Sequence, residues 1–158
     1  MQLIEWSDKY ATGISGIDHE HRELVATINA FYSKLTQNPD KDELVNMLNE
    51  IYAAIHSHFM LEERLMKKHD YDEYGKHRDD HARLLDVIRD FTTDLEKTTD
   101  YDELQLKKKL NDWFLIHFST HDARLHKLEQ LIANQKEGGD SLISKLKEAA
   151  SQVFSNKK

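Results

Sequence analysis

His58-Phe59-Met60-Leu61-Glu62, His77-Arg78-Asp79-Asp80-His81 and His117-Phe118-Ser119-Thr120-His121-Asp122 decide how this chain is read. In each segment a histidine is followed, about one helical turn later, by another side chain able to ligate a metal. Residues four apart on an α-helix share a face, with Cβ atoms about 5–6 Å apart. Such a pair can therefore reach one centre. Three pairs on three helices, with His21 on an earlier one, point to a metal site inside a helical bundle. Any single pair is weak evidence, because histidines commonly sit in cores or on surfaces with ordinary hydrogen-bond partners. The coincidence of candidates on four apolar stripes is what carries the reading.

Outward from these segments, apolar residues recur at the 3–4 spacing of buried helical faces. A first helix is expected from Asp18 to about Thr36, with Leu24, Val25, Ile28, Phe31 and Leu35 inward and His21 on the same stripe. Asn38 as cap and Pro39 at the first helical position mark a second start. That helix is expected over 40–68, with Leu44, Leu48, Ile51, Ile55, His58, Phe59 and Glu62 on one face. A carboxylate in such a face is costly unless paired or metal-bound. A third helix is expected over 74–97, with His77, His81, Leu84, Leu85, Ile88, Phe91 and Leu95 inward. Asp100 and Glu103 resemble a capping box opening a fourth over 101–134, with Leu110, Trp113 and His117 facing the core. Gly138-Gly139 is expected to end it. Asp140 would cap a separate amphipathic helix over 141–155, lined by Leu142, Ile143, Leu146, Val153 and Phe154. Residues 1–17 read as an arm whose Trp6, Tyr10, Ile14 and Ile17 can pack on the bundle. The expected fold is all-α: an up-down-up-down four-helix bundle over 1–134, with an N-terminal arm and a C-terminal helical extension over 138–158.

Composition narrows the function classes. With 158 residues the prior is one domain. One proline and five glycines leave long helices largely uninterrupted. A net charge of −7 argues against non-specific nucleic-acid binding. No apolar run approaches the roughly 20 residues of a membrane span, and no signal peptide is evident, so a cytoplasmic location is expected. Cysteine is absent, which excludes thiolate ligands and cysteine-held iron–sulfur clusters.

Imidazole and carboxylate donors suit iron, zinc, copper or nickel. His21, His58, Glu62, His77, His81, His117 and Asp122 are too many for one tetrahedral zinc, but enough for two octahedral irons sharing carboxylate bridges. The last pair is ambiguous by spacing. His121, at i+4 from His117, is better placed on a regular helix than Asp122 at i+5. Choosing Asp122 requires a local distortion, and a π-bulge between His117 and Asp122 is expected.

Over about residues 1–130 the chain resembles the bacterial hemerythrins. The resemblance rests on Asp18-His19-Glu20-His21, His58-x-x-x-Glu62-Glu63, His77-x-x-x-His81 and His117 followed by Asp122. Glu20 stands where many relatives have glutamine, and His121 adds a competing donor. The resemblance implies two non-haem irons with an oxo or hydroxo bridge. His77, His81 and His117 would hold one iron, His21 and His58 the other, and Glu62 and Asp122 would bridge them. The iron with two histidines keeps a position open, where dioxygen binds end-on. Leu24, Phe59 and Trp113 are the candidate walls of that pocket, and each also reads as ordinary core. His19, His56, His69 and His126 read as surface or supporting groups, as does Glu63. The function expected is reversible dioxygen binding without catalysis, as carrier, store or sensor. The alternatives are a di-iron oxidase, peroxidase or nitric-oxide-handling enzyme, and a signalling module that self-associates or binds a partner through 141–155.

Overall fold

The computed structural model describes the backbone of residues 3–37, 39–98 and 102–155, and their side chains except at 9, 115, 117–124 and 149–155. Among the described residues every regular element is helical: a 3₁₀ turn at Asp8–Tyr10 is followed by α1 (Ser15–Leu35), α2 (Lys41–Lys68), α3 (Tyr74–Lys97) and α4 (Glu103–Ser155). α1 and α2 bury the stripes their sequence patterns foretell; α3 buries His77, His81, Ile88 and Leu95 of its expected stripe and also Thr92, with Leu84, Leu85 and Phe91 half-buried. Among the described residues, no helix is long and apolar enough to cross a membrane.

The helix starts differ from the sequence expectation, each for a local reason. α1 begins at Ser15 rather than Asp18 and has no side-chain cap at Ile14. Instead the Asp18 carboxylate reaches back over the start. It accepts from the Thr12 backbone N–H (2.6 Å), the Thr12 hydroxyl (2.8 Å) and the Gly13 N–H (3.2 Å). Gly13 turns the chain at φ +83°, against the Glu129 side chain, where a side chain would be strained. α2 is capped by Asp40, whose carboxylate accepts from the Glu43 N–H at 3.0 Å. Asn38, expected in that role, lies outside the described residues. α4 starts at Glu103 with Asp102 accepting from the Gln105 N–H at 3.1 Å; Asp100 too lies outside the described residues.

The α2–α3 turn is built from polar residues yet is tightly closed. His69 ends α2 and Asp70 takes a left-handed φ of 51°. The Tyr71 N–H then reaches the Met66 carbonyl (2.9 Å) and the Asp70 N–H the Lys67 carbonyl (3.3 Å). This is a Schellman motif, with Tyr71 and Met66 buried together beside Ile17, Leu125 and Leu128. At the other end, Lys41 donates to the carbonyls of Glu96 and Thr98 at 3.0 and 3.1 Å. This ties the start of α2 to the end of α3. α2 packs along both α1 and α3, and α4 lies against α3.

Two expectations about α4 are corrected. The helix is continuous across Gly138-Gly139 to Ser155, so 141–155 is its final stretch and not a separate helix. Each glycine lowers helix propensity by about 1 kcal/mol relative to alanine, which weakens a helix without forbidding it. The π-bulge is also absent, since 117–122 are regular α-helix. Nothing between Trp113 and Asp122 breaks a helix, and the bulge was inferred from ligand spacing alone.

Candidate metal centre

α1, α2 and α3 each turn ligand-type side chains to a common point in the core. His21 stands on α1, His58 and Glu62 on α2, and His77 and His81 on α3. All five are buried, with relative exposures of 0–1%. The i to i+4 spacing places His58 above Glu62 and His77 above His81, as the helical repeat requires.

Glu62 is the hub. Its Oε1 lies 3.0 Å from His58 Nε2 and 3.6 Å from His21 Nε2. Its Oε2 lies 3.0 Å from His77 Nε2 and 3.1 Å from His81 Nε2. One carboxylate thus presents a different oxygen to each of two histidine pairs. His21, His58 and Glu62 form one group, and Glu62, His77 and His81 another. In each, the donor atoms lie within 4.8 Å of one another, an arrangement that could hold a metal ion. The donors are nitrogen and oxygen without thiolate, which fits iron, and a carboxylate facing both ways fits a pair of ions.

The electrostatics follow from this crowding. Burial by itself would push the Glu62 carboxyl up. The positive charge of His58, with hydrogen bonds from His21, His58 and His77, outweighs burial and holds Glu62 well below the ordinary carboxylate range. Burial likewise pulls His58 down, but the charge and hydrogen bond of Glu62, then those of Glu20, leave it raised. Ionisable groups perturbed by burial and by specific charge partners are candidates for a functional site.

The surroundings are apolar and aromatic. Phe59 stacks flat on His81, ring centres 3.7 Å apart and planes 3° from parallel. Trp113 is buried and donates its Nε1–H to the Leu84 carbonyl at 3.0 Å, less than one turn beyond His81. Leu24, three residues past His21, is buried in the same core. The arm covers the α1 side, with the Trp6 ring 6.5 Å from that of His21 and Tyr10 edge-on to Phe114.

Five of the seven expected ligands are therefore gathered. The side chains of His117 and Asp122, like that of the competing His121, lie outside the described residues. His19, His56 and His126 are exposed; His69, at the end of α2, pairs with Gln135 of α4. One partner went unrecognised in the sequence: Glu20 Oε2 stands 3.4 Å from His58 Nδ1. Glu63, read as a neighbour or supporting group, pairs with His81 Nδ1 at 2.9 Å. The general habit of ligand histidines to engage a carboxylate through their other nitrogen foretells such partners. Which carboxylates serve depends on how the helices face one another.

The model of the Hemerythrin HHE cation binding domain matches residues 12–128, most of the chain and all the helices that build the site. The chain belongs to the hemerythrin family. Its similarity to individual hemerythrins is distant but long. It is 26% identical over 144 residues to the bacteriohemerythrin of Pseudomonas paraeruginosa (strain DSM 24068 / PA7), spanning 88% of this chain and 93% of that protein. To the bacteriohemerythrin of Stenotrophomonas maltophilia (strain R551-3) it is 24% identical over 122 residues, 77% of this chain and 78% of that one. To that of Methylococcus capsulatus (strain ATCC 33009 / NCIMB 11132 / Bath) it is 22% identical over 127 residues, 77% and 93% of the two chains.

Proposed function

We propose that this protein binds dioxygen reversibly at a two-iron centre and is not an enzyme. The observation that carries the reading is Glu62, whose two oxygens face two separate histidine pairs in a closed core. In this reading His21 and His58 hold one iron, and His77, His81 and His117 the other. Glu62 and Asp122 would serve both irons. The irons, when bound, supply the electrons and the open position that dioxygen requires.

The chain's own residues supply the rest. Buried histidines held by carboxylates present fixed nitrogens, and Glu62 offsets part of the buried positive charge. Leu24, Phe59 and Trp113 wall the site and exclude water and stray protons. In this proposal the helices run up-down-up-down, a reading supported by the Lys41 tie between the start of α2 and the end of α3. The metal-binding unit takes in 1–134, and 138–158 is an extension. The cytoplasm is the proposed compartment.

The test is anaerobic loading with ferrous ions, then exposure to air and removal of oxygen, followed by visible absorption. A charge-transfer band that appears in air and disappears under vacuum is expected, at two irons per chain. A band that decays irreversibly with peroxide release, or turnover of a reductant, would replace this reading with a redox enzyme. A second reading, association through the end of α4, is favoured by the exposure of Leu142, Ile143 and Leu146.

A further inference from the structure

His81 is gripped by three neighbouring residues of α2. Its Nε2 faces Glu62 Oε2 at 3.1 Å, its Nδ1 meets Glu63 Oε1 at 2.9 Å, and its ring lies flat on Phe59. A carboxylate only accepts, and both nitrogens face one; with Nε2 turned to the centre as the ligating atom, the ring's one hydrogen belongs on Nδ1, towards Glu63. His58 has a looser counterpart, an ion-pair contact with a carboxylate from another helix. Its Nε2 faces Glu62 Oε1 at 3.0 Å, and its Nδ1 faces Glu20 Oε2 at 3.4 Å. Both outer carboxylates stand at the rim of the core, with Glu63 23% and Glu20 36% exposed. Both histidines are buried.

We propose that Glu63 and Glu20 are positioning residues, one for each half of the centre, acting through His81 Nδ1 and His58 Nδ1 respectively. The proposal rests on the two-ion reading above and assigns each ion its own control. The consecutive pair Glu62-Glu63 then has divided roles. Glu62 is shared by both ions, whereas Glu63 serves one of them through His81. Holding a ring by its far nitrogen fixes both its tautomer and its rotation, and makes the near nitrogen a stronger donor. A negative carboxylate does this more strongly than a neutral amide, because a charge-assisted hydrogen bond is roughly twice as strong as a neutral one. Glu20 therefore places more negative charge behind the two-histidine ion than glutamine would there.

The experiment uses redox-silent zinc on the full chain, with affinity read by chelator competition and the histidine rings by ¹⁵N-edited NMR. The unsubstituted protein is expected to take two ions. Glu63→Leu should weaken one of them about 10–100-fold and, in the metal-free protein, scramble the His81 tautomer, leaving His58 unchanged. Glu63→Gln, whose amide oxygen still accepts from Nδ1–H, should recover the tautomer and most of the affinity. Glu20→Leu should weaken the other ion and disturb His58 instead. Equal weakening of both ions by either leucine variant, or unaltered affinity and tautomer, would overturn the proposal. If the unsubstituted protein takes fewer than two ions, the two-ion reading fails. The His81 Nδ1–H signal of the metal-free protein and of Glu63→Leu then decides Glu63's grip separately, because an unchanged signal refutes it.

Discussion

A single residue, Glu62, sets the acid–base behaviour of the core. In the metal-free protein it is held below its ordinary range, while His58 is raised. A depressed carboxylate contributes stability that is present above its unfolded pKa and lost as pH falls through the folded one. A raised imidazole contributes stability that is present below its unfolded pKa and lost as pH rises through the folded one. Both contributions are complete only between about pH 5 and pH 6. The metal-free protein is therefore expected to melt highest there and to weaken towards alkaline pH. Metal ligands must be deprotonated, so ion binding releases protons and strengthens as pH rises. The gap in melting temperature between loaded and metal-free protein should widen from pH 6 to pH 8. Calorimetry with and without chelator measures it. A gap independent of pH would show that these groups do not exchange protons for metal. The sequence already showed that Glu62 lies in an apolar stripe beside His58. It could not show that the two carboxylate oxygens divide between α1 and α3, because that depends on helix rotation.

At the scale of the element, the stripes were more legible than the ends. Helix α3 runs over Tyr74–Lys97, the span its periodicity predicts. Its pattern is long and its flanks, Gly75 and the Thr98 stop, are clear. The start of α2 is a competition among Asn38, Pro39 and Asp40, all good residues for a helix start. The structure gives the cap to Asp40, whose carboxylate reaches the Glu43 amide. The turn after α2 has a testable cost. Asp70 occupies the left-handed region without being glycine, and that region disfavours a Cβ. Asp70→Gly should raise stability by about 0.5–1 kcal/mol, after the extra unfolded-chain freedom of glycine is subtracted. Urea denaturation measures it, and a loss of stability would mean that the Asp70 side chain contributes more than the strain it causes.

At the scale of the whole molecule, α4 combines two environments. Trp113, Phe114, Leu125 and Leu128 are buried against the other helices, whereas residues 133–148 are all exposed. Glycines 138 and 139 read as a break in the sequence, yet the helix passes through them. Gln135, Lys136 and Glu137 before them favour helix, and i to i+4 hydrogen bonding continues without a side chain. The exposed Leu142, Ile143 and Leu146 make the end of α4 the candidate association surface. Removing 138–158 should leave iron stoichiometry intact and lower the molar mass measured by light scattering to that of one chain. A full-length protein already monomeric would dismiss self-association as the role of this stretch.

The sequence by itself determined the helical class, the faces that go inward and the donor types on them. These are local properties, written in a period of 3.6 residues and in the spacing of histidine and glutamate. Only the tertiary structure decided that Glu62 turns one oxygen to His21 and His58 and the other to His77 and His81. It alone gave Glu20 to His58 and Glu63 to His81. Those pairings join different helices, and their geometry follows from helix rotation, tilt and close packing, which no local pattern records.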